Sequence, residues 1–155
     1  MNFQEKWRKL LLPLRYGGSG VDFKKLDPAR SPFLQDRDRI IYSSSFRRLA
    51  RKTQVHPLVR NDHIHTRLSH SLEVSSVGRS LGAMAGYFLR RRGELPEYAA
   101  PEFPGQILEA ACLAHDLGNP PFGHAAEFAI RDWLGDPATP TAVAALGATH
   151  QRRFR

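Results

Sequence analysis

His115-Asp116-Leu117-Gly118-Asn119-Pro120-Pro121-Phe122-Gly123-His124-Ala125-Ala126-Glu127 is the stretch that decides how this chain reads. It follows an apolar run, Leu108-Glu109-Ala110-Ala111-Cys112-Leu113-Ala114, and turns through two prolines into a second one. The spacing predicts a helix over about 106–117, with Leu108, Ala111, Cys112 and His115 at i, i+3, i+4 and i+7, a stripe that would bury His115. Gly118 stands where a helix end often needs a left-handed residue, and Pro120-Pro121 cannot continue the helix. The next helix is expected from about Gly123 to Leu134, with His124 and Glu127 sharing a face at i, i+3.

Working outward, the preceding segment reads His65-Thr66-Arg67-Leu68-Ser69-His70-Ser71-Leu72-Glu73-Val74. It belongs to a helix expected from about Asp62 to Arg92, with Leu68, Leu72, Val77, Leu81 and Phe88 in the core register. Ser75, Ser76, Gly78, Gly82 and Gly86 form another face, small enough for a neighbouring helix to approach closely. Ser31-Pro32 is an N-cap followed by proline at the first helical position, which predicts a helix from Pro32 to Leu49. Trp7, Leu10, Leu11 and Leu14 predict an amphipathic helix from Gln4 to Leu14, stopped by Pro13 and the Gly17-Gly18-Ser19-Gly20 run. Residues 54–61 and 96–104 read as loops. No segment alternates with the period of a strand and none repeats, so the class is all-α.

Imidazole nitrogens with a carboxylate suit Mn, Fe, Co, Ni or Zn better than Ca or Mg, which prefer oxygen shells. His70, His115 and Asp116 are therefore candidate ligands of one divalent metal ion. Taken alone, a helical histidine is more often a satisfied core residue than a ligand; Arg67 one turn away and the His-Asp pair reverse that preference. Arg67 is placed to meet a substrate phosphate. A carboxylate bonded to an imidazole fixes its tautomer and raises its basicity, so His124 with Glu127 is a candidate general acid or base. The plainer alternative is an exposed pair at a helix start.

These motifs, with Arg39-Ile40-Ile41-Tyr42-Ser43-Ser44-Ser45-Phe46-Arg47-Arg48-Leu49 and Lys52-Thr53-Gln54-Val55 before them, resemble the HD-domain metal phosphohydrolases. The resemblance is to the deoxyguanosine triphosphate triphosphohydrolase-like branch, and it runs over about residues 27–134. It implies an HD-domain-like helical bundle that binds a divalent cation (Mn, Mg, Co, Fe, Ni or Zn). Water would attack the α-phosphorus of a deoxynucleoside triphosphate, releasing deoxynucleoside and tripolyphosphate. It implies metal ligation by His70, His115 and Asp116, catalysis by His124 and Glu127, and substrate contacts from Gln54, Arg67 and Asn119. The family's further Asp ligand, on a much later helix, has no candidate here. The domain is thus expected to be incomplete at its C-terminus: 1–26 a helix and Gly-rich loop, 27–134 a partial HD domain, 135–155 a poorly ordered tail. An N-terminal fragment, inactive for want of that ligand, is one expectation, and an exposed core side that favours homo-oligomers is another.

Length and composition bound the rest. The 155 residues suit a single domain, and charged residues interrupt every apolar run well short of the roughly 20 residues a membrane span needs. No secretory signal pattern opens the chain, which points to the cytoplasm and no membrane partner. Cys112, the single cysteine, reads as a small core hydrophobe. The net charge of +8 calls for an anionic partner. Its arginines cluster at 37, 39, 47, 48 and 51, at 90–92, and at 152, 153 and 155. A module binding single-stranded nucleic acid through that basic surface is the competing function; salt-sensitive, metal-independent binding would distinguish it.

Overall fold

The computed structural model describes residues 3–14, 27, 30–52, 65–120 and 122–136. Among the described residues every regular element is helical: α1 Phe3–Leu10, α2 Pro32–Tyr42, α3 Ser44–Arg48, a 3-10 turn Leu49–Arg51, α4 Arg67–Arg91, α5 Phe103–Ala114 and α6 His124–Gly135. The all-α expectation holds. Two compact units divide at residue 117, so α1–α5 form one and α6 belongs to the other.

Helix ends follow local chemistry. Ser31 caps α2 as its sequence predicts, its hydroxyl accepting from the Leu34 N–H at 3.2 Å. The single helix expected over Pro32–Leu49 is broken at Ser43, whose backbone is extended. The Ser43 hydroxyl donates to the Ile40 carbonyl at 2.7 Å and accepts from the Phe46 N–H at 3.2 Å, ending one helix and capping the next. α1 stops at Leu10 instead of Leu14, because Pro13 lacks the N–H that would bond the Lys9 carbonyl and its ring crowds that carbonyl. α4 begins at Arg67, not near Asp62. Thr66 and Ser69 form a reciprocal capping box, at 3.2 Å from the Ser69 N–H to Thr66 Oγ1 and 3.0 Å from the Thr66 N–H to Ser69 Oγ. That box sets His70 in the first turn of α4.

The packing of α4 corrects the expected core register. Leu72, Val77, Leu81 and Phe88 are exposed, while Ser71, Ser75, Gly78, Gly82, Gly86 and Leu89 are buried. α5 runs antiparallel across this small face. A Cβ on Gly82 would lie 2.6 Å from the Pro104 carbonyl oxygen and 2.7 Å from Gly105 Cα, and one on Gly78 2.6 Å from Cys112 Sγ. Backbone-to-backbone approach this close leaves no room for the large side chains, which fall on the opposite side.

α5 in turn lies between α4 and α2, and its own buried face is Phe103, Glu109 and Leu113 instead of the Leu108–Ala111–Cys112–His115 stripe. Leu108 and His115 are exposed and Cys112 is half-buried. Glu109 is tolerated in the core because Arg37 of α2 reaches it at 2.7 Å. That hydrogen bond outweighs the lowering effect of burial and raises the Arg37 pKa above the ordinary arginine value. One turn earlier Ser31 donates to the Gln106 side chain, so two polar contacts key α2 to α5. Apolar clusters sit at both ends of the α4–α5 pair. Leu11, Leu89, Leu95, Ala99 and Phe103 form one; Phe46, Leu49 and Leu113, with Leu68 and Leu117 against them, form the other, beneath the His-Asp end.

Candidate metal centre

The antiparallel register carries the first turn of α4 to the last residues of α5. The His70 and His115 rings meet there, centroids 5.2 Å apart and planes at 71°. Arg67, one turn before His70, donates from Nη1 to Asp116 Oδ1 at 3.1 Å, and both side chains are largely buried. A carboxylate this deep requires a compensating cation, and the guanidinium supplies it. His115 Nδ1 lies 2.6 Å from the Cys112 carbonyl oxygen. A carbonyl only accepts, so Nδ1 donates, and Nε2 is the ring nitrogen left to meet a ligand. Metal-binding histidines are commonly oriented by such a second hydrogen bond.

These features fit a divalent cation at the imidazole pair. With a metal–nitrogen bond of about 2.1 Å and about 1.2 Å from nitrogen to ring centre, two imidazoles at a tetrahedral angle place their centroids roughly 5.4 Å apart. The observed separation is compatible with that spacing and is equally that of an edge-to-face ring contact. The carboxylate stands differently: Asp116 Oδ1 is held by Arg67, and among the described residues no three His, Cys, Asp or Glu side chains are gathered as a ready-made metal cluster. The structure thus brings His70 to His115 and Arg67 to Asp116. One further polar atom lies at this level and went unnoticed in the sequence: Ser71 Oγ, fully buried and without a hydrogen-bond partner. Its only sequence signal is its place at the head of the small face.

Asn119, His124 and Glu127 belong to the second unit. His124 Nδ1 and Glu127 Oε2 are 2.9 Å apart, so the i, i+3 pairing read from the sequence forms, with both side chains exposed. Asn119 is half-buried beyond Gly118, whose φ of 78° is the left-handed conformation expected of it. Gln54 and residues 137–155 lie outside the described residues. The basic segment is partly neutralised within the fold. Arg37 is spent on Glu109, Arg39 on Asp36 at 3.3 Å, and Arg30 on Asp38 at 2.8 Å, which weakens the competing nucleic-acid reading. No helix among the described residues is long and apolar enough to cross a membrane.

The fold thus brings two histidines and a buried aspartate together from two antiparallel helices. The chain belongs to the HD domain family, which it matches over residues 67–154, beyond the neighbourhood of Leu134 where the motifs themselves fade. It is 56% identical over 132 residues to a deoxyguanosinetriphosphate triphosphohydrolase-like protein of Pseudomonas aeruginosa (strain LESB58), covering 85% of this chain and 29% of that protein. A protein of the same name from Synechocystis is 53% identical over 126 residues, covering 81% and 28%. The deoxyguanosinetriphosphate triphosphohydrolase of Salmonella enteritidis is 46% identical over 123 residues, covering 77% and 24%. The chain therefore spans less than a third of the length of these relatives.

Proposed function

We propose that the chain carries part of the active site of a metal-dependent deoxynucleoside triphosphate triphosphohydrolase, with dGTP as the first substrate to test. The observation that supports this most is the meeting of His70 and His115 across α4 and α5, beside a buried Asp116. His70, His115 and Asp116 would hold the cation, with Asp116 exchanging its bond to Arg67 for the metal. A divalent cation in such a site supplies Lewis acidity to a phosphoryl oxygen and acidifies water.

The chain's own groups do the rest. Arg67, once released by Asp116, presents two guanidinium edges to the phosphates and offsets their charge as it shifts in the transition state. His124, oriented by Glu127 through Nδ1, has Nε2 as the atom at which a proton is taken up or delivered. Gln54 and Asn119 are the side-chain amides proposed to contact the sugar or base. The reaction breaks the bond between the α-phosphorus and the 5′ oxygen, and yields deoxynucleoside and tripolyphosphate. The test is to incubate the purified chain with dGTP and Mn2+ and assay tripolyphosphate, beside His115→Ala. Product from the parent and at least about a hundredfold less from the variant supports the assignment; equal product from both overturns it.

A further inference from the structure

We infer that Ser71 is a positioning residue of the metal centre, its hydroxyl held in reserve for the Asp116 carboxylate in the metal-bound state. The inference rests on the metal reading given above. Ser71 has no exposed surface, and its Oγ has no hydrogen-bond partner. Serines elsewhere in the same helix satisfy themselves on the backbone: Ser75 donates to the Leu72 carbonyl at 2.8 Å and Ser80 to the Ser76 carbonyl at 3.0 Å. Ser71 does not take that local exit, although an unsatisfied buried hydroxyl is costly. A buried hydroxyl without a protein partner calls for an explanation, and use in a ligand-bound state is the one we infer here.

The helix register places that hydroxyl. Along the small face, Gly86 faces Pro101, Gly82 faces Pro104 and Gly105, and Gly78 faces Leu108 and Cys112. Two further turns toward the start of α4 set Ser71 level with His115 and Asp116, the level at which His70 meets His115 and Arg67 meets Asp116. A carboxylate that binds a cation through one oxygen needs a donor on the other. Arg67 serves Asp116 in the structure described; once the cation and a phosphate draw on Asp116 and Arg67, a neutral donor at this level keeps the carboxylate oriented without competing in charge. Serine fits where the face is too narrow for an amide or a longer side chain.

Alanine at this position separates a positioning role from a packing one. Ser71→Ala removes an unsatisfied hydroxyl from the metal-free protein, so the metal-free melting temperature should stay level or rise. Its Mn2+ affinity, by isothermal titration on the full chain, should fall by about tenfold or more, the usual effect of losing an orienting partner. Ser71→Cys, similar in volume and a poor donor, should behave like alanine. Parent binding of Mn2+ with unchanged affinity in both variants overturns the role of Ser71 alone. Weakened binding accompanied by a matching loss of metal-free stability overturns it in favour of packing. A parent chain that takes up no Mn2+ overturns the metal reading and this inference together.

Discussion

Gly82→Ala tests the packing on which the centre depends, because two effects of known size oppose each other there. In a solvated helix the change gains about 1 kcal/mol of propensity. Here the new Cβ would lie 2.6 Å from the Pro104 carbonyl oxygen and 2.8 Å from Gly105 N, both backbone atoms of α5. Ordinary contact begins near 3.4 Å, so α4 and α5 must part by roughly 0.8 Å, and no side chain can rotate away to absorb it. Overpacking of this kind costs about 1–3 kcal/mol, and a rigid neighbour puts it at the upper end. The net expectation is a loss of about 2 kcal/mol, a fall of roughly 4–8 °C in melting temperature. Urea denaturation followed by far-UV circular dichroism measures it. Gly78→Ala should lose less, since its nearest neighbour is the Cys112 side chain and not backbone. A Gly82→Ala protein as stable as the parent would refute the close approach of α4 and α5, and with it the register that sets His70 against His115.

Other expectations concern parts of the fold with different physics. Arg37→Ala strands Glu109, whose side chain is only 9% exposed, while Arg37 itself is 36% exposed. Breaking a fully buried pair costs about 3–5 kcal/mol; solvent on the arginine side brings this to about 1–3, and adding Glu109→Gln should recover part of it in urea titrations. The Arg37 pKa is raised by Glu109, so while Glu109 is ionised this contribution is present below the arginine range and is lost as pH rises through it. Melts of the parent at pH 6 and pH 8 should therefore show no change attributable to this arginine. Gly135→Ala, at the end of α6 with nothing near its Cβ, should gain about 0.5 kcal/mol in a thermal melt.

Punctuation was the legible part of this chain, and partner choice was not. Ser31-Pro32 starts α2 and Gly118 takes the left-handed turn because those signals are local, written within four residues. The core faces of α4 and α5 were misread for a shared reason. Periodicity in Leu72, Val77, Leu81 and Phe88 shows that a face seeks apolar cover, not which neighbour lies against it; in the described residues α5 took the glycine–serine face instead. On α5 the Leu108–His115 stripe outranks a face containing Glu109, and only Arg37, 72 residues away, makes that glutamate a core residue. The break at Ser43 came from a hydroxyl competing for backbone groups, which three successive serines announce only in retrospect. At the centre, the His70–His115 encounter was readable from family-like motifs. The Arg67–Asp116 bond was not, since sequence assigned the arginine to a phosphate and the aspartate to a metal.

Cobalt substitution tests the central claim most directly, because Co2+ reports its ligands through visible absorption. Titrating the metal-free chain with Co2+ should give a saturating ligand-field band at about one ion per chain. Either His70→Ala or His115→Ala should abolish it, while Arg67→Ala should leave it or strengthen it by freeing Asp116. A band of equal intensity in both histidine variants, or none in the parent, would contradict a cation shared by the two helices.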